Sequence, residues 1–254
     1  MKAPLAIFFA IATFTLCFSP VAIIQTAKST SDRLTPQPSI SFQSDSQKSE
    51  NHVMIVNTGK KFQSILGFGG ALTEASAYVF QNMNSAIQQE ILEAYYSPQG
   101  LNYTMGRIHM NSCDFSLDSY SCNDEKNDFE LTHFNINRDK KYVIPLVKRV
   151  LSLSKSYGKT LKMYYSPWSP PAWMKRNGNM NSSWVPGIIN SSDIYQSWAL
   201  HYSKFADAYR QEGIEFWGVT VQNEPEAIQT FEVCIDMLIV ITIIITSLVS
   251  IHLN

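Results

Sequence analysis

Hydrophobic positions recur along the middle of the chain with two different periods. Short runs rich in β-branched and aromatic residues occupy 62–68, 103–110, 161–165 and 216–221 and read as strands. Helical spacing fills the intervals. The segment 74–83 follows Thr73, a plausible N-cap, and 85–96 opens on a capping residue and carries Ile87, Ile91, Leu92 and Tyr95. In 142–157, Val143, Leu146, Val147, Val150, Leu151 and Leu153 share a stripe that stops at Gly158. In 193–213, Trp198, Tyr202, Phe205, Ala206 and Tyr209 form another, again closed by a glycine.

Strand and helix in alternation predict βα units on a parallel sheet. Ser166-Pro167-Trp168 follows the third strand and Gln222-Asn223-Glu224-Pro225 the fourth. Both a (β/α)8 TIM barrel and a doubly wound sheet bind ligands at strand C-termini. Gly67-Phe68-Gly69-Gly70 lacks the spacing of a phosphate loop, so the TIM barrel is preferred. Eight units take about 250 residues. The globular pattern runs only from 51 to 229, room for about the first four βα units.

The ends read differently. Met1-Lys2 and the apolar run 3–18 have the form of a signal peptide within 1–27, with Ala22 or Ala27 before the cleavage site. An uncleaved membrane anchor is the alternative. Residues 28–50, rich in Ser and Gln, read as a disordered spacer, because they bury too little apolar surface to offset ordering. From 230 to 254 the chain is an apolar tail; its run 237–251 is shorter than the roughly 18 residues of a membrane span. The readings for it are a membrane helix, an aggregation-prone segment, or sequence appended where a coding frame was lost.

A net charge of -1 argues against a nucleic-acid partner, and 45% hydrophobic residues suffice for a packed core. Of four cysteines, Cys17 would leave with the signal, so Cys113, Cys122 and Cys234 make an odd set. No spacing suggests a metal, and no cofactor is expected. Asn102-Tyr103-Thr104, Asn181-Ser182-Ser183 and Asn190-Ser191-Ser192 are N-glycosylation acceptors in form.

Asn223-Glu224-Pro225 directly after an apolar strand is the most informative tripeptide. A carboxylic acid there can protonate a glycosidic oxygen, and the neighbouring amide can bind a sugar hydroxyl. Pro225 biases Glu224 away from helix. Arg107 on the second strand can orient carboxylates, or else form a structural ion pair; Asp114 can accept sugar hydroxyls. Trp168 offers an aromatic face to a sugar, whereas Trp173 reads as core.

Four strings, "GFGGALTEASA", "RIHMNSCDFS", "YYSPWSPPAWMK" and "WGVTVQNEPE", resemble the glucosylceramidases of glycoside hydrolase family 30 from about Lys60 to Glu226. The resemblance implies a (β/α)8 barrel with an accessory β-structure and retaining cleavage of glucosylceramide. By it Glu224 matches the general acid/base, Asn223 the ligand of the adjacent sugar hydroxyl, Asp114 and Trp168 the glucose subsite, and Arg107 the support of the catalytic carboxylates. His109 stands where the family usually has proline. A glycolipid substrate, a membrane surface, a saposin-like activator and a lysosomal or extracellular destination are the implied setting. Retention needs a second carboxylate about 5 Å from the first. In the family it comes from a late strand, so the nucleophile is expected to be absent from this chain. A sugar- or lipid-binding role without turnover, held to a membrane by the tail, and a misfolded isoform are the alternatives.

Overall fold

The computed structural model describes residues 20–42, 55, 57–181 and 187–225. They fall into two compact units divided after Gln63. Residues 1–19, the apolar tail, Cys17, Cys234, Glu226 and Glu232 lie outside the described residues.

The first unit holds an antiparallel hairpin of β1 (Val21–Gln25) and β2 (Thr35–Ile40), with Gln25 opposite Thr35 and Val21 opposite Ile40. It corrects the expected spacer over 28–42, and β1 contains Ala22, one of the two cleavage positions considered. Composition measures apolar content, but this turn is held by polar bonds. The Asp32 carboxylate accepts from Thr30 Oγ1 (2.8 Å), Gln25 Nε2 (2.7 Å) and Gln37 Nε2 (3.1 Å). Those bonds, Thr30 first, hold its pKa below the usual carboxylate value.

In the second unit four parallel strands lie side by side in chain order: β3 (Gly69–Ala71), β4 (Met105–Met110), β5 (Lys162–Pro167) and β6 (Gly218–Val219). The chain passes through α1 (Glu74–Gln81) and α2 (Ser85–Tyr96) before β4. It passes through α3 (Asn137–Lys141) and α4 (Val143–Ser156) before β5, and through α5 (Ser192–Gln211) before β6. Among the described residues these are three successive βα units of a TIM barrel and the strand of a fourth, in the order the alternating periodicity predicts.

Local chemistry sets the helix ends. The Thr73 hydroxyl accepts from Ser76 N, and Ser76 Oγ accepts from Thr73 N in return, closing a capping box on α1. Asn84 Oδ1 caps α2 through Ile87 N at 2.9 Å. Gly158 and Gly213 follow α4 and α5 at φ +70 and +79, where a Cβ would be strained. The short α3 has no side-chain cap and was not foreseen from periodicity.

Strand alternation divides the sheet into two faces. Ile108, Met110, Met163 and Tyr165 are buried in the core with Val143, Val147 and Val150 of α4 and Trp198, Tyr202, Phe205 and Tyr209 of α5. Trp173 joins the periphery of that core and donates from Nε1 to Asn123 O, as expected of a packing residue. The concave face carries Met105, Arg107, Tyr164, Gly218 and Thr220 around an open cavity of about 630 Å³.

The first barrel strand is displaced from its expected place at 62–68. Phe62, Ile65, Leu66 and Phe68 are exposed, and pairing with β4 falls on Gly69 to Ala71. The two backbones approach too closely for a side chain. A Cβ on Gly69 would lie 2.0 Å from Met105 O. Gly69→Ala is therefore expected to cost about 1–3 kcal/mol, the range for overpacking a tight contact. Urea denaturation measures it, and an unchanged midpoint would show that the close pairing of β3 is not needed.

Candidate active site

Arg107 is the third residue of β4, on its concave face. Its Nη2 donates to Ser166 Oγ on β5 and to Asn223 Oδ1 beyond β6, both at 2.8 Å. A guanidinium has no acceptor, so the Asn223 oxygen must face it. The Asn223 amide NH2 then points away from the guanidinium. Trp168 covers the other side of the guanidinium, 4.5 Å from Cζ to the ring centroid. The ring is buried yet stands outside the hydrophobic core cluster.

Further bonds carry this geometry to the end of the chain's fourth unit. Thr220 Oγ1 donates to Ser166 Oγ at 2.5 Å. Gln222 Nε2 donates to Trp168 O at 2.7 Å, and Asn223 N to Pro167 O at 2.9 Å. Ser166, Thr220 and Gln222 had no assigned role from sequence. The period-2 alternation that puts Arg107 on the concave face would have placed Ser166 and Thr220 beside it.

Glu224 follows, exposed, with φ +44. The residue before a proline favours extended backbone, so this left-handed conformation departs from the bias expected of Pro225. Such strain costs on the order of 1–2 kcal/mol and persists where the surroundings impose it. Here the imposing bonds are those of Gln222 and Asn223 immediately before it.

Asp114 is exposed on the loop that follows β4, at the same end of the sheet. Among the described residues no hydrogen bond joins it to the Arg107 cluster. Its loop is held instead by Glu74, a fully buried carboxylate that accepts from Leu117 N at 2.8 Å and pairs with Arg138. Arg138 Nη2 also donates to Asp118 at 2.8 Å and lies over the Tyr120 ring. Beneath it, Tyr120 and Tyr209 donate to the two oxygens of buried Asp139, at 2.7 and 2.8 Å.

The structure gives His109 a physical role. Its Nε2 accepts from Glu74 N at 3.0 Å, so its Nδ1 must carry the proton that goes to Asn111 O at 2.6 Å. The ring bridges the turn after β3 to the turn after β4. A proline at 109 could make neither bond.

The model of the glycosyl hydrolase family 30 TIM-barrel domain matches residues 65–242. The chain belongs to glycosyl hydrolase family 30. The matched range runs past Ala227, where the sequence strings cease to resemble the family, into residues outside those described. Lysosomal acid glucosylceramidase of Mus musculus is 39% identical over 173 residues, 66% of this chain and 32% of the relative. Endo-1,6-beta-D-glucanase neg1 of Aspergillus fumigatus is 31% identical, over 64% of this chain and 35% of the relative. The crystal structure of SrfJ from Salmonella typhimurium superposes with a TM-score of 0.65 at 34% identity, covering 80% of this chain and 43% of that one. The chain thus spans about a third of the length of these curated relatives.

A second buried histidine underlies the site. His201 Nε2 donates to Asn111 Oδ1 at 3.0 Å, and burial pushes its pKa down from 6.5 to about 3. In the unfolded chain the ring protonates below 6.5, while in the fold it stays neutral. Its contribution to stability is complete above pH 6.5 and is lost as pH falls toward 3. The slope in that window reaches about 1.4 kcal/mol per pH unit. His201→Gln keeps a donor and cannot titrate, so it should flatten the pH dependence of the unfolding midpoint there. A variant with the wild-type slope would remove His201 from the account.

Proposed function

We propose that this site is of the retaining β-glucosidase type and acts on the glucosyl group of a glucosylceramide-like lipid, with Glu224 as general acid/base. The observation that carries the reading is the convergence of Arg107, Ser166, Trp168 and Asn223 on one point at the C-terminal ends of the strands, with Glu224 next in the chain. Trp168 would pack on a sugar face, Asn223 would donate to the hydroxyl beside the reacting carbon, and Asp114 would accept from others.

Arg107 also supports a second carboxylate. Its Nε is buried without a hydrogen-bond partner among the described residues. A carboxylate would satisfy it, as expected of an arginine that steadies the nucleophile. None of the described carboxylates fits that place. Glu74 is engaged by Arg138 and Leu117 N, and Glu90 and Glu93 lie on α2. The nucleophile would come from outside the described residues.

The name of the Mus musculus relative supports glucosylceramide as substrate and a lysosomal setting; a membrane surface and a saposin-like activator are proposed on the sequence resemblance alone. The Aspergillus fumigatus relative makes β-1,6-glucan the competing substrate. A second reading, sugar binding without turnover, is favoured by the absence of a second carboxylate facing Glu224 among the described residues.

Hydrolysis of an aryl β-glucoside, glucosylceramide and β-1,6-glucan by the purified full chain from about pH 4 to 7, a range bracketing a raised carboxyl pKa, separates these readings. For a catalyst, Glu224→Gln should lower the rate about a hundredfold to ten-thousandfold. Absence of turnover throughout refutes catalysis by this chain. Glucoside binding weakened about tenfold or more by Trp168→Ala would then support the binding role, a factor equal to about 1.4 kcal/mol.

A further inference from the structure

We propose that Asn102 carries an N-linked glycan, on the face of the half-barrel opposite the candidate active site. The inference rests on the secretory reading of the chain, because the oligosaccharide donor is met only there. Sequence alone offers three acceptor motifs without ranking them. The fold distinguishes them.

Asn102 sits in the turn between α2 and β4, three residues before the strand begins, and so at the N-terminal end of the sheet. It is exposed and has φ +54, a left-handed conformation that asparagine tolerates better than most residues. Its Oδ1 accepts from Lys159 Nζ at 2.6 Å. Transfer from a lipid-linked oligosaccharide diphosphate joins Nδ2 to the anomeric carbon of the first sugar. The bond from that carbon to the diphosphate oxygen breaks, the diphosphate lipid leaves, and Nδ2 gives up one proton. The product is still an amide with its Oδ1 intact, so the contact with Lys159 survives modification.

The other two acceptors are less compatible with the fold. Asn181 is half-buried, and its amide faces Ser119 Oγ with Nδ2 donating at 3.2 Å. Its place in the long connection after β5 also puts it at the substrate end of the sheet. Asn190 is exposed, but it stands just before Ser191, the N-cap of α5, on that same end. A bulky solubilising group there would crowd the face that receives a substrate. At Asn102 the strands separate the glycan from Arg107 and Glu224.

Thr104, the third residue of the motif, supplies a clean control. Its Oγ1 is buried with no hydrogen-bond partner among the described residues. Valine has nearly the same shape and removes an unsatisfied hydroxyl, a change that is neutral or stabilising. Thr104→Val therefore deletes the acceptor motif while keeping the fold, and Thr104→Ser restores the motif.

The full chain is translated in the presence of endoplasmic reticulum microsomes and tested for protection from added protease. Peptides are then mapped after enzymatic glycan release, which converts a modified asparagine to aspartate. The expected result is a protected chain with aspartate at 102, lost in Thr104→Val and retained in Thr104→Ser. The thermal midpoint of unglycosylated Thr104→Val should be no lower than that of the parent. A protected chain with Asn102 unmodified overturns the glycan alone. A chain left open to protease overturns the secretory reading, and the glycan with it.

Discussion

The guanidinium of Arg107 ties three consecutive strands to one point, and the geometry of the candidate site depends on it. One nitrogen reaches residues 59 and 116 positions away in the chain. That tie matters because β6 pairs with β5 over only two residues, so the backbone ladder alone secures the outermost strand weakly. Side chains extend the attachment: Thr220 to Ser166, Gln222 to the Trp168 carbonyl, and the Tyr202 hydroxyl to Val221 O. A lysine could not replace the arginine, since an ammonium lacks both the planar fork and the broad face that stacks on Trp168.

A second set of polar bonds fixes the loops above the sheet. Glu74 is charged and fully buried, a costly placement unless its oxygens are engaged. Arg138 and Leu117 N engage them, and in doing so they hold the loop that carries Asp114. His109 and Asn111 continue the connection, with Asn111 Oδ1 accepting from both Cys122 N and His201. The result is a polar layer between the apolar helix-facing core and the C-terminal end of the strands. Its members come from α1, β4 and the loop after it, α3 and α5, so no single segment of sequence contains it.

The backbone of Glu224 is strained in a way that this layering explains. Gln222 donates twice from Nε2, and Asn223 is held at its N, O and Oδ1, so the chain must then turn at Glu224 before the ring of Pro225. The left-handed φ falls on the residue that the family resemblance matches to the acid/base.

Much of this molecule was determined by the sequence itself. Hydrophobic periodicity located α1, α2, α4, α5 and the strands β4 and β5 because each buries a regular stripe against one core. Thr73, Gly158 and Gly213 marked ends because capping and positive φ are local demands. Arg107, Trp168, Asn223 and Glu224 were legible because their strings keep family spacing. What depended on distant partners was not legible. The first barrel strand lies on glycines, whose selection comes from the approach of Met105, while the apolar residues that signalled a strand remain exposed. The hairpin over 21–40 owes its turn to Asp32 and its three side-chain donors. His109, Glu74, Ser166 and Thr220 gained their roles only when the fold closed. A hydrogen bond across tens of residues leaves no period in the chain, and tertiary structure alone decides which groups it joins.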